Sequence, residues 1–249
     1  MERMKTFKKF VVCADSHGNE ANKRACDLLF SFCKDFKPSI RIHLGDWMDA
    51  VALRNGASEV DKRKGLRADK DAAFHFMEQY RPTHLLDGNH DIRIVDQATI
   101  HEGPIADYCR EILDQSADLL REFKTIRLPY DKRRGVLKVG KMKCLHGFFC
   151  GQNAPQMHAR AYGSCLYGHA HRFSVVSVPG AHSGDRAVAR GIGCLCNLDM
   201  DYNRSMVDTL SQAQGFAYGV MDQRGRYWVA NAEVVEGRVA VFDEFRILG

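Results

Sequence analysis

The sequence lacks an amino-terminal leader: no charged, apolar and small-residue succession opens it, which predicts an unexported chain with reduced, intracellular thiols, placed in the cytoplasm. It has no apolar run long enough to cross a bilayer, which predicts a soluble protein with no membrane partner. Tandem repeats and low-complexity linkers are missing too, so solenoid and multi-domain readings fall away. Charge of one sign is also scarce. Lys plus Arg number 36 against 31 Asp plus Glu, a formal +5 that biases weakly toward anions and falls short of a nucleic-acid-binding tail. The nine cysteines are an odd number scattered through apolar stretches, a pattern that does not fit a disulfide scaffold.

What remains is a chain of 249 residues, 45% hydrophobic, long enough for a sizeable core and read as one domain over 1–249 with a helical basic insertion at about 50–80. The organising stretch is Gly88-Asn89-His90-Asp91, behind a short buried strand from Thr83 to Leu86. It leaves an amide, an imidazole and a carboxylate at a strand's carboxyl end, where open α/β sheets present their chemistry.

Other strand ends repeat the pattern. The predicted strand Lys8 to Ala14 runs into Asp15-Ser16-His17, and an Asp and a His two positions apart can share a metal. A helix over Asn22 to Phe36 follows, then a strand from Ile40 to Leu44 delivering Gly45-Asp46, whose carboxylate can bridge two cations. Residues Asp49 to Tyr80 read as helix in two pieces, rich in Arg54, Lys62, Arg63, Lys64, Arg67 and Lys70. A solvated face explains those charges better than a phosphate-binding surface does. Ile105 to Phe123 reads as an amphipathic helix, and Ile126 to Val139 as a hairpin with a charged tip at residues 131–135. Lys141 to Leu145 is a strand closing on His146-Gly147, and Leu166-Tyr167 runs into Gly168-His169-Ala170-His171, whose imidazoles would point opposite ways in a regular strand. Beyond Phe173 the alternation predicts strands, including Ser174 to Val178, Phe216 to Met221, Tyr227 to Val235 and Arg238 to Phe242, that complete a second sheet. His43, His75, His84, His101, His158 and His182 read as structural or exposed, and Cys194 with Cys196 as lining a strand.

Taken in order, Asp15-x-His17, Gly45-Asp46, Gly88-Asn-His-Asp91, His146-Gly147 and Gly168-His-x-His171 resemble the motif set of the calcineurin-like metallophosphoesterase superfamily, in particular its small phage and bacterial phosphoesterases. The resemblance spans Asp15 to His171. It implies an α/β fold, a four-layer α/β/β/α sandwich of two mixed sheets flanked by helices. It implies two divalent metal ions, with Mn taken first and Fe, Zn, Co or Ni as alternatives, held by Asp15, His17, Asp46 and His171 on one side and Asp46, Asn89, His146 and His169 on the other. His90 takes the place of the family's free catalytic histidine, and Asp91 is the candidate to orient it. The implied activity is phosphate-ester hydrolysis by metal-activated hydroxide.

The chain departs from the superfamily's protein phosphatases. Asp87 precedes Gly88, and Ala50-Val51 follow Asp49, where that branch carries phosphate-binding arginines. A carboxylate at 87 would repel a dianionic monoester, which favours a phosphodiesterase acting on nucleic acid or nucleotides. The alternatives are a phosphomonoesterase with Arg93 or Arg54 as replacement clamp, and a non-catalytic scaffold of the same fold, which would be expected to have lost ligands.

Overall fold

The structure is a computed structural model and describes residues 7–180, 185–198 and 207–241. Strand β1 (Lys8–Cys13) sets its centre. Both faces of β1 are apolar: Phe10 and Val12 turn one way, Val11 and Cys13 the other, and all four are buried. A strand buried on both sides needs covering layers on both sides.

One cover is helical. Helix α1 (Lys23–Phe36) starts at Asn22, whose side chain accepts the Ala25 N–H, and ends at Lys37 in the left-handed conformation just before Pro38. It buries Ala25, Cys26, Leu29, Cys33 and Phe36, one stripe at helical spacing. Strand β2 (Ile40–His43) lies parallel to β1. The basic stretch then forms the short helix α2 (Glu59–Arg63) and helix α3 (Leu66–Tyr80), separated at Gly65. Helix α3 is the crossover from β2 to the parallel strand β3 (His84–Leu86), burying Ala73, Phe76, Met77 and Tyr80. The Tyr80 hydroxyl lies 3.2 Å from the Val11 carbonyl and 3.1 Å from that of Ile42, tying the helix to β1 and β2. Helices α4 (Asp91–Ile100) and α5 (Pro104–Phe123) complete this layer and lead to β4 (Ile126–Leu128), parallel to β3.

The other cover is a second sheet. Strands β5 (Leu137–Val139) and β6 (Met142–Leu145) form an antiparallel pair, and helix α6 (Ala154–Tyr162) leads to β7 (Cys165–Tyr167), parallel to β6. Strands β8 (Ser174–Pro179) and β9 (Arg186–Gly191) extend this sheet to the order β5-β6-β7-β9-β8. Then β10 (Gly215–Met221), β11 (Tyr227–Val235) and β12 (Arg238–Val239) return to the first sheet, whose order is β12-β11-β10-β1-β2-β3-β4. Phe10, Val12, Ile42, Leu44, Leu86 and Ala217 of the first sheet meet Leu137, Met142, Cys144, Leu166 and Ile192 of the second. Helix α6 covers the far face of the second sheet through Ala159, against Leu145, Cys165 and Tyr167. The result is the four-layer sandwich of two mixed sheets that the motif resemblance implied.

Two expectations fail. Ile126 to Val139 is not a hairpin: β4 belongs to the first sheet and β5 to the second, so residues 129–136 carry the chain from one sheet to the other. The carboxyl-terminal strands do not all complete the second sheet, because β10 pairs antiparallel with β1, from Lys8 opposite Met221 to Val12 opposite Ala217. The predicted end at Phe242, and His182, lie outside the described residues. All nine cysteines are unpaired, and among the described residues no helix is long and apolar enough to cross a membrane.

Candidate metal centre

Three parallel strands of the first sheet and two of the second carry the candidate residues just past their ends. Asp15 and His17 follow β1, Asp46 and Asp49 follow β2, Asn89 and His90 follow β3, His146 follows β6, and His169 and His171 follow β7. The loops are stitched together by main-chain hydrogen bonds. Asp15 N–H donates to Gly45 O (3.0 Å), His17 N–H to Asp46 O (2.9 Å), and Gly168 N–H to His146 O (2.8 Å). Asp15 also joins the two sheets, since its carboxylate accepts the His169 N–H at 2.9 Å.

Asp15, His17, Asp46, His169 and His171 all have positive φ, between 51° and 65°. Left-handed conformation is uncommon away from glycine, and its gathering at one site is strain of the kind that functional loops hold. It also corrects the reading of His169 and His171 as strand residues. Both lie beyond β7, and left-handed turns, not strand alternation, send them to different neighbours. Gly88 permits a close approach, since a Cβ there would fall 2.1 Å from Asp46 Oδ1.

The donor atoms form overlapping groups. Asp15, His17 and Asp46 each place one donor within 4.8 Å of the others, as do Asp46, His146 and His169, so Asp46 is common to both. Two further groups of the same reach are His17 with His171 and Cys196, and His17 with Asp49 and His90. Asn89 Oδ1 lies 3.0 Å from His146 Nε2, on the edge of the Asp46 group.

Hydrogen bonds fix which imidazole nitrogens are available. His17 Nδ1 is 2.9 Å from Asp49 Oδ1, and His146 Nδ1 is 3.1 Å from the Leu44 carbonyl. Both partners only accept, so both Nδ1 atoms carry the hydrogen and the Nε2 lone pairs point inward. His146 Nε2 then faces Asp46 Oδ2 at 3.3 Å, and His17 Nε2 faces His171 Nε2 at 3.2 Å. A lone pair set against a buried carboxylate needs a cation or a proton between them. Burial alone would depress the His146 pKa, but the charges of Asp46 and Asp15 lift it to about 9. Asp46 itself is held well below the usual carboxylate range, against the effect of burial, by His146, His90 and His17. Buried carboxylates set against imidazoles, with convergent nitrogen lone pairs, fit a divalent metal of the N and O type.

The structure reassigns two roles. Asp91 does not touch the His90 ring; its carboxylate accepts the N–H groups of Asp46 (2.8 Å), Gly88 (2.8 Å) and Met48 (3.0 Å), buckling the β2 and β3 loops together. Asp49 is the residue on His90. The His90 Nδ1 donates to Asp49 O at 2.6 Å and lies 3.1 Å from Asp49 Oδ1. The sequence signal for Asp49 is its place three residues after Asp46, where the pattern reads as the opening of a helix.

The two candidate clamps differ in position. Arg93 donates to Asp49 O at 3.1 Å, beside His90, whereas Arg54 pairs with Asp61 at 3.1 Å on α2. Other charges of the basic stretch are matched by acids: Lys62 by Glu59, Lys64 by Glu20 and Lys70 by Asp71. Asp87 does not face a substrate with a bare charge, because Arg127 reaches its Oδ1 through Nε and through Nη2, each at 2.9 Å.

No family model and no curated protein matches the chain by sequence. Among solved structures it is similar to vacuolar protein sorting 29 from Cryptosporidium parvum, at 10% identity and TM-score 0.48, over 94% of this chain and 95% of that one. It is similar to YfcE, a phosphoesterase from E. coli, at 15% identity and TM-score 0.37, over 86% of this chain and 88% of that one. A phosphatase from Mycoplasma pneumoniae is similar at 9% identity and TM-score 0.45, over 92% and 95%. At such low scores the likeness adds no weight to the site, which stands on its own geometry.

Proposed function

We propose that the chain is a metal-dependent phosphoesterase, and more specifically a phosphodiesterase for nucleic acid or nucleotides. The observation that carries this reading is the pair of donor groups that share Asp46 at the meeting edge of two sheets. Asp15, His17, Asp46 and His171 would hold one divalent ion, and Asp46, Asn89, His146 and His169 a second. Bound there, the ions would polarise the phosphoryl oxygens and activate water. His90 has its Nδ1–H committed to the Asp49 carbonyl, so proton exchange with a leaving oxygen falls to Nε2, on the edge that lies 3.9 Å from Asp46 Oδ2.

The preference for a diester follows from the supply of cations. Arg93 is beside His90 while Arg54 is paired with Asp61, so of the two candidate clamps one stands at the site, where a dianionic monoester calls for more. The second reading, a phosphomonoesterase, is favoured by the Asp87–Arg127 pair, which removes the repulsion that the sequence suggested.

Hydrolysis of bis-p-nitrophenyl phosphate and of p-nitrophenyl phosphate with Mn2+ separates these readings. The diester should turn over, and turnover should fall to background in Asp46→Asn. Cleavage of the monoester alone would install the second reading. Silence on both esters with metal bound would leave a scaffold.

A further inference from the structure

We propose that Cys196 is the positioning residue of His171, its buried sulfur taking the outer imidazole nitrogen as Asp49 takes that of His17. This inference rests on the metal reading above and assigns a residue that the motif set leaves out.

Each histidine that points into the centre through Nε2 needs something to hold Nδ1. For His17 it is Asp49 Oδ1 at 2.9 Å, and for His146 it is Leu44 O at 3.1 Å. An outer acceptor fixes the tautomer, the ring angle and the basicity of a ligating imidazole. His171 follows the same orientation. Its Nε2 lies 3.2 Å from His17 Nε2 and 3.5 Å from Asp15 Oδ1, so this nitrogen faces the centre. Its Nδ1 faces away, and Cys196 Sγ lies 3.7 Å from that nitrogen, with the neighbouring Cys194 thiol also hydrogen-bonded to the His171 side chain. That separation suits an N–H group against the large radius of sulfur, a weak acceptor.

Cys196 is held in place for this task. It is fully buried and bridged to Ala21, while Asn197 N–H donates to Glu20 O and Leu195 N–H to Asp15 O. The segment carrying the thiol is therefore anchored on both sides to the loop that bears Asp15 and His17. His171 is anchored independently, since its carbonyl accepts the Ala213 N–H at 2.8 Å. The sulfur meets the ring at Nδ1 while the Asp15 carboxylate meets it at Nε2, the arrangement of an outer support on one nitrogen and the centre on the other.

Titration of the metal-free chain with Co2+, followed by visible absorption and calorimetry, tests this in the wild type, Cys196→Ala, Cys196→Ser and, as a distant buried control, Cys109→Ala. Cys196→Ala should weaken one class of Co2+ site by about 10- to 100-fold and spare the other, as loss of an outer partner does. Cys196→Ser should recover part of that loss through its hydroxyl, and Cys109→Ala should titrate as the wild type. Titration of Cys196→Ala indistinguishable from wild type overturns the proposal. So does an intense near-ultraviolet sulfur-to-cobalt band in the wild type that vanishes in Cys196→Ala, which would make Cys196 a direct ligand. Imidazole 15N shifts of the Zn2+-loaded wild type give a check that needs no variant: His171 should be protonated at Nδ1 and metal-bound at Nε2, and the reverse refutes the assignment. A wild type that takes up no Co2+ defeats the metal reading itself, and this inference with it.

Discussion

Asp49 holds two imidazoles at once. Its Oδ1 is 2.9 Å from His17 Nδ1 and 3.1 Å from His90 Nδ1, so one carboxylate orients a candidate ligand and the candidate proton carrier together. Burial opposes its charge, yet the two imidazoles hold its pKa well below the ordinary value. Asp49→Asn keeps one acceptor oxygen but cannot balance a positive imidazole. Its kcat/KM on the diester should drop by about 10- to 100-fold, with metal content reduced less than turnover. Equal losses of both would place Asp49 on the metal side alone. His43 gives a different kind of residue-scale outcome. Gly45 N–H donates to its Nδ1 and Ser16 Oγ lies 3.1 Å from its Nε2, so the ring is built in neutral, and burial depresses its pKa to about 3. Between the unfolded value near 6.5 and this folded value, the unfolded chain binds a proton that the folded chain refuses. Stability from this residue is therefore complete above about pH 6.5 and declines as pH falls, by about 2 kcal/mol at pH 5. Urea midpoints at pH 7.5 and pH 5 should show a smaller acid loss in His43→Gln than in the wild type. At this scale the sequence was most informative, because Asp15, His17, Asp46, Asn89, His146, His169 and His171 sit at strand ends where short motifs announce them. Asp49 and Cys196 were not legible, since an outer partner is chosen by distance in the fold and has no motif of its own.

Between residues and the whole, the loops behave as one unit because Asp91 binds them. Three main-chain N–H groups from two loops end on its carboxylate, and burial, followed by the charges of Asp46 and Asp87, pushes its pKa well up. Asp91→Ala would leave three buried donors without acceptors. At about 1 kcal/mol or more for each, the variant should lose about 3 kcal/mol of stability, visible in thermal melting of the metal-free chain. Asp91→Asn, which keeps one acceptor oxygen, should lose less. An orienting role for His90 would predict the opposite pattern, lost activity with stability intact. The elements themselves were readable where periodicity was strong: Asn22 as cap and Pro38 as stop bracket α1 closely, and β11 has the bounds expected of it. Ile126 to Val139 misled because two apolar runs about a charged turn look the same whether the strands pair with each other or part to different sheets. Helix α4 begins at Asp91, inside the motif itself, so the residues that announce a site concealed the start of a helix.

On the scale of the molecule, the site is a joint between sheets. Asp15, His17, Asp46 and Asn89 come from the first sheet, and His146, His169 and His171 from the second. Sheet membership is not legible in the sequence, because alternation marks a strand and says nothing of its neighbour; the pairing of β10 with β1 places the last three strands in the first sheet. Without a cation, the two halves of the joint set buried carboxylates and imidazoles directly against one another, as Asp46 against His146 and Asp15 against His171. A cation bound by ligands from both sheets adds its binding free energy to the folded state alone, as RT ln(1 + [L]/Kd), about 2.7 kcal/mol at one hundred times Kd. For a chain of this length each kcal/mol moves the melting temperature by about 2–4 °C. Mn2+, Co2+ or Zn2+ at that excess should therefore raise the wild-type Tm by about 5–10 °C. The increase should shrink in Asp46→Asn, which weakens both donor groups, and in His146→Ala, which removes a second-sheet ligand while leaving the first sheet whole. If His146→Ala kept the full increase, the ion would be held by the first sheet alone, and the joint between the sheets would be the work of the apolar layer centred on Phe10, Val12, Cys144 and Leu166.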